Sequence, residues 1–259
     1  MSQLIPVLLY HSVSERASGD SFAVAPERFA SHVEAIVASG RTPLTISEIA
    51  DGLRGLSTLP KRPMGITFDD GFDDTVAAVE LLASHELRST VYVTTGSIGE
   101  GNSIRPDQLQ TLAAWQDRVE LGAHTVTHPH LDELRTAAAD REIVSSKRAL
   151  ERLIDRDVNS FAYPHGAYDA RVRTLVKAAG YRSAAAVKNA LSHIGDDPWA
   201  IARWTVRSTT SADDVAAFLL GASTPLAWRE ERLRTTAYRA VRRTRRTWRG
   251  GARRVRKCA

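Results

Sequence analysis

The sequence predicts an α/β fold, a parallel sheet with helices outside, arranged as a β/α barrel. Three observations carry this. Short apolar runs of strand character alternate with segments of helical periodicity. The polar clusters His11, Asp69-Asp70, His124 and Pro164-His165 each follow a strand, as the loops at the C-terminal strand ends of a barrel do where they converge on one site. The chain has 259 residues, 43 % of them hydrophobic, enough for one sizeable core.

The elements follow in order. Val7 to Tyr10 reads as a buried strand. Pro26 opens a helix with Phe29, Val33, Ile36 and Val37 at helical spacing, closed by Gly40. Ser47 is placed as the cap of a short helix through Leu53. Met64 to Phe68 is a second strand, followed by a helix over Val76 to Leu82. Thr90 to Thr94, rich in β-branched residues, is a third. Pro106 starts a helix to about Trp115, and Val119 to Ala123 is a fourth strand, ending at His124. A long helix is expected from about Asp132 to Ile154. Asn159 to Tyr163 is a fifth strand, and Val172 to Ala179 is helical, ending at Gly180. Strand-like runs follow at Ser183 to Val187 and Ala200 to Val206, and Ser211 caps a last helix through Leu220.

The net charge of +5 is unevenly distributed. Residues 226–259 hold 13 Lys/Arg against 2 Asp/Glu, so the body, residues 1–225, is mildly acidic. The high pI thus describes the tail, and no specific nucleic-acid binding is expected. In the tail Leu233, Ala237, Val241 and Trp248 fall near one helical face among arginines, a basic amphipathic pattern that could lie on an anionic membrane surface. A solvated tail, or one held against the acidic body, is the competing reading. The single cysteine, Cys258, allows no intrachain disulfide. The N-terminus lacks a basic segment before its short apolar run, and no stretch of about 18 apolar residues occurs. The expected location is the cytoplasm or the inner membrane face.

Three motifs carry chemistry. In Thr67-Phe68-Asp69-Asp70-Gly71, two adjacent carboxylates end a strand. Such neighbours repel unless they share a cation or proton, and a metal on one leaves the other as a base. The plain alternative is a solvated turn. His124 and His128 share a face if their segment is one helical turn, and neutral imidazoles suit Zn²⁺ and similar metals. Pro129 interrupts the chain before His130, which favours His128 as the second ligand. In Phe161-Ala162-Tyr163-Pro164-His165-Gly166, a loop after a strand could form a groove wall with a backbone N–H facing an oxyanion. One Asp and two His give three ligands and leave a metal position open, as catalytic sites require.

Taken in order, Tyr10-His11, Thr-Phe-Asp-Asp-Gly, His-x-x-x-His-Pro and Phe-Ala-Tyr-Pro-x-Gly resemble the polysaccharide deacetylases that share the chitooligosaccharide deacetylase homology domain. The resemblance runs from about Val7 to Val206. It implies a distorted β/α barrel, often of seven strands. It further implies Asp69 as general base, and Asp70, His124 and His128 as ligands of a divalent metal, zinc by default, with cobalt or nickel able to serve. Tyr163, Pro164 and His165 belong to the loop that would stabilise the oxyanion. Family members often carry their acid histidine in a Leu-x-His motif near the domain's C-terminus. None follows Val206 here, so His11 is assigned the acid role, with His193 in reserve. Ala162 stands where the family often has Arg, and Arg203 is a candidate for the missing cation beside Asp69.

The function expected on this basis is removal of acetyl groups from N-acetylated sugars or glycans. The rivals are an O-acetyl carbohydrate esterase and a non-catalytic glycan-binding module. Phe72, Tyr163, Tyr168, Trp199 and Trp204 are aromatics that could stack on a sugar, none preferred. Asp74 is expected to cap or brace its loop.

Overall fold

The computed structural model of the protein describes residues 3–15, 19–222 and 224–228. Seven parallel strands form a closed barrel: β1 Val7–Tyr10, β2 Pro63–Phe68, β3 Ser89–Val93, β4 Val119–Ala123, β5 Ser160–Ala162, β6 Ser183–Val187 and β7 Ile201–Thr205. They neighbour one another in chain order. The ring closes where β7 meets β1 at Trp204↔Leu8 and Thr205↔Leu9, and β1 meets β2 from Val7↔Gly65 to Tyr10↔Phe68. Around it stand α1 Pro26–Ala38, α2 Ile46–Leu53, α3 Thr75–Ser84, α4 Pro106–Ala114, α5 Thr136–Ile154, α6 Ala170–Ala178 and α7 Ala212–Leu220.

The alternation of side chains along each strand divides the core into two. Outward residues such as Leu8, Tyr10 and Phe68 pack against the helices, with Phe29, Val79, Ile143 and Phe218. A smaller cluster joins Val7, Tyr92, Ala162, Ala185 and Ile201 to Ile46, Ile49 and Ala50 of α2. Ile46 N–H donates to Thr90 Oγ1 (3.0 Å) and Ser47 N–H to Glu120 Oε2 (3.2 Å), near the starts of β3 and β4. Helix α2 therefore closes the barrel at the N-terminal end of its strands, and the opposite end is left for the site. Gly122 makes room for Tyr92: a Cβ there would lie 2.5 Å from the tyrosine ring.

The expected strands and helices are found, with some changes at their edges. A short strand, Thr42–Leu44, was not anticipated; it pairs with Pro63–Gly65, and Pro43, which has no N–H to give a ladder, obscures it in the sequence. Helix α2 is capped by Thr45, not Ser47, because Thr45 and Glu48 form a reciprocal capping box. The long helix starts at Thr136, not Asp132; a separate 3₁₀ turn, Leu131–Glu133, precedes it, and Leu134 and Arg135 are extended. Among the described residues, no helix is long and apolar enough to cross a membrane. The proposed helical face of the tail, Leu233 to Trp248, lies outside the described residues.

Candidate active site

Asp69 and Asp70 are consecutive but face different surroundings. Asp70 (φ 73°) and Gly71 (φ 74°) both adopt left-handed backbone, which Asp tolerates better than most residues and Gly adopts freely. The sharp turn sends Asp69 into the barrel, where its side chain is 3 % exposed, and Asp70 toward the mouth. Asp69 is met by Arg203 of β7 in a two-pronged pair, Nη1–Oδ1 2.6 Å and Nη2–Oδ2 2.8 Å. Arg203 is fully buried, gives a further bond to Thr67 Oγ1 and lies over the ring of Tyr92 at 5.3 Å.

The two histidines are brought together by a loop and not by a helical turn. Thr125 (φ 68°) and His128 (φ 56°) are left-handed, which a helix does not allow. The reason lies in α5, where Glu142 accepts hydrogen bonds from Val126 N–H, Thr127 N–H (both 2.9 Å) and Thr127 Oγ1 (2.7 Å). Thr125 Oγ1 accepts from His128 N–H (3.0 Å). The sequence offered no signal for this clamp, since Glu142 is an ordinary polar residue on a helix. His124 donates from Nδ1 to Ala162 O (2.8 Å), which leaves Nε2 to face Asp70.

Three ligand atoms then converge. His124 Nε2 and His128 Nε2 are 3.2 Å apart, His128 Nε2 is 3.2 Å from Asp70 Oδ1, and His124 Nε2 is 3.6 Å from the same oxygen. Bonds of about 2.0–2.1 Å at tetrahedral angles would set ligand atoms about 3.3–3.4 Å apart. The spacing fits one small divalent cation, and the chemistry of the donor set fits zinc.

Electrostatics follow from the same contacts. Burial alone would raise the pKa of Asp69, but the charge and hydrogen bonds of Arg203, with His124 nearby, hold it below the usual carboxylate range. Asp70 is likewise opposed by burial, yet the hydrogen bond from His128 and the two histidine charges bring it to about 2. Burial lowers His124 despite both aspartates, whereas Asp70 raises His128 against burial.

His11 follows β1. It packs against Phe22 with ring centres 4.9 Å apart, and its charge bears on both Asp69 and Asp70. The reserve candidate His193 is elsewhere: it pairs with Leu4, ahead of β1, and its Nε2 faces Ala227 O. In the loop after β5, Tyr163 is not a groove residue. It is fully buried, its N–H is spent on Ala185 O (3.1 Å) and its hydroxyl on Trp199 O (3.0 Å). Pro164 has no N–H, and those of Gly166 and Ala167 close the turn. His165, at the centre of this turn, has left-handed backbone (φ 58°). Its ring stacks on His130 (3.9 Å between centres) and meets His128 edge-on (4.4 Å), and burial with these neighbours lowers its pKa to about 4.

A groove of about 410 Å³ leads from Asp70 and His128 past Phe72, Thr94, Ser97 and Ser103. Of the aromatics considered from the sequence, Phe72 alone lines it; Tyr168 stacks on Tyr163, Trp204 on Phe218, and Trp199 lies between Arg54 and Lys177.

A barrel with an Asp-His-His cluster and a second, arginine-locked aspartate at its mouth defines a hydrolase-like site, and the comparisons agree with that class. Residues 57–184 match the family model for polysaccharide deacetylase. A Bacillus subtilis protein described as a polysaccharide deacetylase is 26 % identical over 179 residues, 69 % of this chain and 62 % of its own. A chitooligosaccharide deacetylase of Azorhizobium caulinodans is 31 % identical over 121 residues, 45 % of this chain and 54 % of its own. The matched regions thus span less than two thirds of these relatives. The solved structure of a Streptococcus pyogenes deacetylase with acetate has a TM-score of 0.77 at 20 % identity, covering 85 % of this chain and 99 % of that one. An Ammonifex degensii structure has 0.73 at 20 %, over 85 % and 98 %. At these identities the structures bear on the fold.

Proposed function

We propose that the protein is a metal-dependent carbohydrate N-deacetylase, hydrolysing the acetamide of N-acetylated sugars or glycans. The observation that carries this is the convergence of Asp70 Oδ1, His124 Nε2 and His128 Nε2 at spacings that suit one cation, beside the buried anion of Asp69. The relatives named for chitooligosaccharides support an N-acetyl substrate. Asp70, His124 and His128 hold the metal. A divalent cation there supplies Lewis-acid chemistry, drawing electrons from the acetyl carbonyl and making water a better acid.

The protein's own groups do the rest. Asp69 takes a proton from the attacking water as its oxygen bonds to the carbonyl carbon. Arg203 weakens Asp69 as a base but fixes its orientation. The N–H of His165 faces the developing oxyanion. As the C–N bond breaks, its electron pair stays on nitrogen and His11 delivers the proton that lets the amine leave. Acetate and the free amine are the products. The groove beside Phe72, more apolar than polar with a few hydroxyls at its walls, suits a neutral sugar ring.

The deciding experiment is acetate release from N-acetylglucosamine oligomers and from O-acetylated sugars, with and without zinc. Zinc-dependent release from the amide, lost in Asp70→Ala, is expected. Release from the ester alone would move the assignment to an O-acetyl esterase, and no release with no metal uptake would move it to a glycan-binding module.

A further inference from the structure

One ring nitrogen of His11, Nδ1, is buried and makes no hydrogen bond among the described residues, and Phe22 packs against the ring. Backbone and packing therefore have a large part in setting the position of His11. The two residues after it, Ser12–Val13, pair in parallel with Ala23–Val24, and Ser14 N–H donates to Val24 O (2.9 Å). That small sheet sets Phe22, the residue just before it, against His11.

The same sheet is held from its other side by Asp74. Ser12 Oγ donates to Asp74 Oδ2 (2.5 Å) and Val13 N–H to Asp74 Oδ1 (3.2 Å). Asp74 occupies the N-cap position of α3, where an aspartate ordinarily accepts from its own helix; here its side chain makes no capping bond and is committed to the strand. A carboxylate at a helix N-terminus remains favoured by the helix dipole, so the diversion costs little. Both carboxylate oxygens link one loop to another: the loop that carries Asp69 and Asp70 clasps the segment that carries His11.

We propose that Asp74 is a positioning residue for the proton donor, fixing His11 relative to Asp69 and Asp70 through Ser12 and Val13. This rests on the reading of His11 as the group that protonates the leaving amine. From sequence Asp74 is expected to cap or brace its loop; its side chain makes no capping bond, and it braces the segment that carries His11.

The test exploits leaving groups. An amine needs a proton to depart, whereas the phenolate of 4-nitrophenyl acetate does not. In the zinc-loaded enzyme, Asp74→Ala should lower kcat on N-acetylglucosamine oligomers relative to the ester by roughly 10- to 100-fold, with KM little changed. Asp74→Asn, which keeps one acceptor, should recover part of the loss. Adding Asp74→Ala to His11→Ala should cost the amide reaction little beyond His11→Ala alone. An equal loss on amide and ester, no loss on either, or full additivity with His11→Ala would overturn the proposal. Should the wild type turn over neither substrate, the deacetylase reading fails by itself. Crystal structures of wild type and Asp74→Ala then decide the clasp: a displaced His11 ring supports it, and an unmoved one overturns it.

Discussion

Arg203 and Asp69 form two hydrogen bonds, 2.6 and 2.8 Å long, between side chains that are 0 % and 3 % exposed. A buried pair of this kind is worth less than its geometry suggests, because both charges were taken out of water to make it. Breaking it from one side is another matter. Arg203→Met strands the Asp69 charge and should cost about 3–5 kcal/mol in urea denaturation. Asp69→Asn in the same chain removes the stranded charge and should recover much of that loss. Neither variant should hydrolyse substrate.

Metal binding should be stoichiometric and independent of Arg203. Calorimetry with zinc is expected to give one site per chain, lost in Asp70→Ala and His128→Ala and kept in Arg203→Met. Free zinc at 1,000 times its dissociation constant would add about 4 kcal/mol to stability, since the three ligands come together only in the native state. A chelator should reverse the gain.

At the closed end of the barrel, burial raises the pKa of Glu120 despite hydrogen bonds from Ser47 and Thr90. Its native form keeps the proton to a higher pH than the unfolded chain does. The stabilisation is full below the ordinary glutamate range and is lost as pH rises through the raised native value. Glu120→Gln does not titrate. The stability of wild type minus that of Glu120→Gln should therefore fall as pH is raised across this window in a series of denaturation curves. A flat difference would show that Glu120 titrates normally.

Gly96 N–H donates to Val126 O (2.9 Å), and a Cβ on Gly96 would stand 2.4 Å from that same oxygen. Backbone cannot yield as a side-chain tip can. Gly96→Ala should push the loop after β3 away from the loop carrying His128, costing about 1–3 kcal/mol and weakening zinc binding. Thermal denaturation and zinc titration check both effects.

The barrel was legible because its strands are short, mostly apolar runs and its helices open on Pro26, Pro106 and Ser211, signals that are local in the chain. Thr42–Leu44 was hidden by its proline. For the site, Asp69, Asp70, His124 and His128 stand out as residue types at strand ends, and the structure brings all four together. What the chain could not announce were partners set by three-dimensional neighbours: Glu142 bending the histidine loop, and the committed N–H of Tyr163, which removes that residue from the groove. Arg203 could be named from sequence only as a candidate. Its contact with Asp69 spans 134 positions and depends on the strand order of the ring.

That span has a consequence for how the molecule comes into being. Asp70, His124 and His128 are all present soon after the ribosome has passed β4, while three of the seven strands are still unmade. The partner of Asp69 arrives with the last strand, the one that seals the ring against β1. Contacts this distant in sequence form late. The residues of the Asp-His-His cluster are thus made well before the arginine that orders Asp69, and the buried pair waits on the final closure.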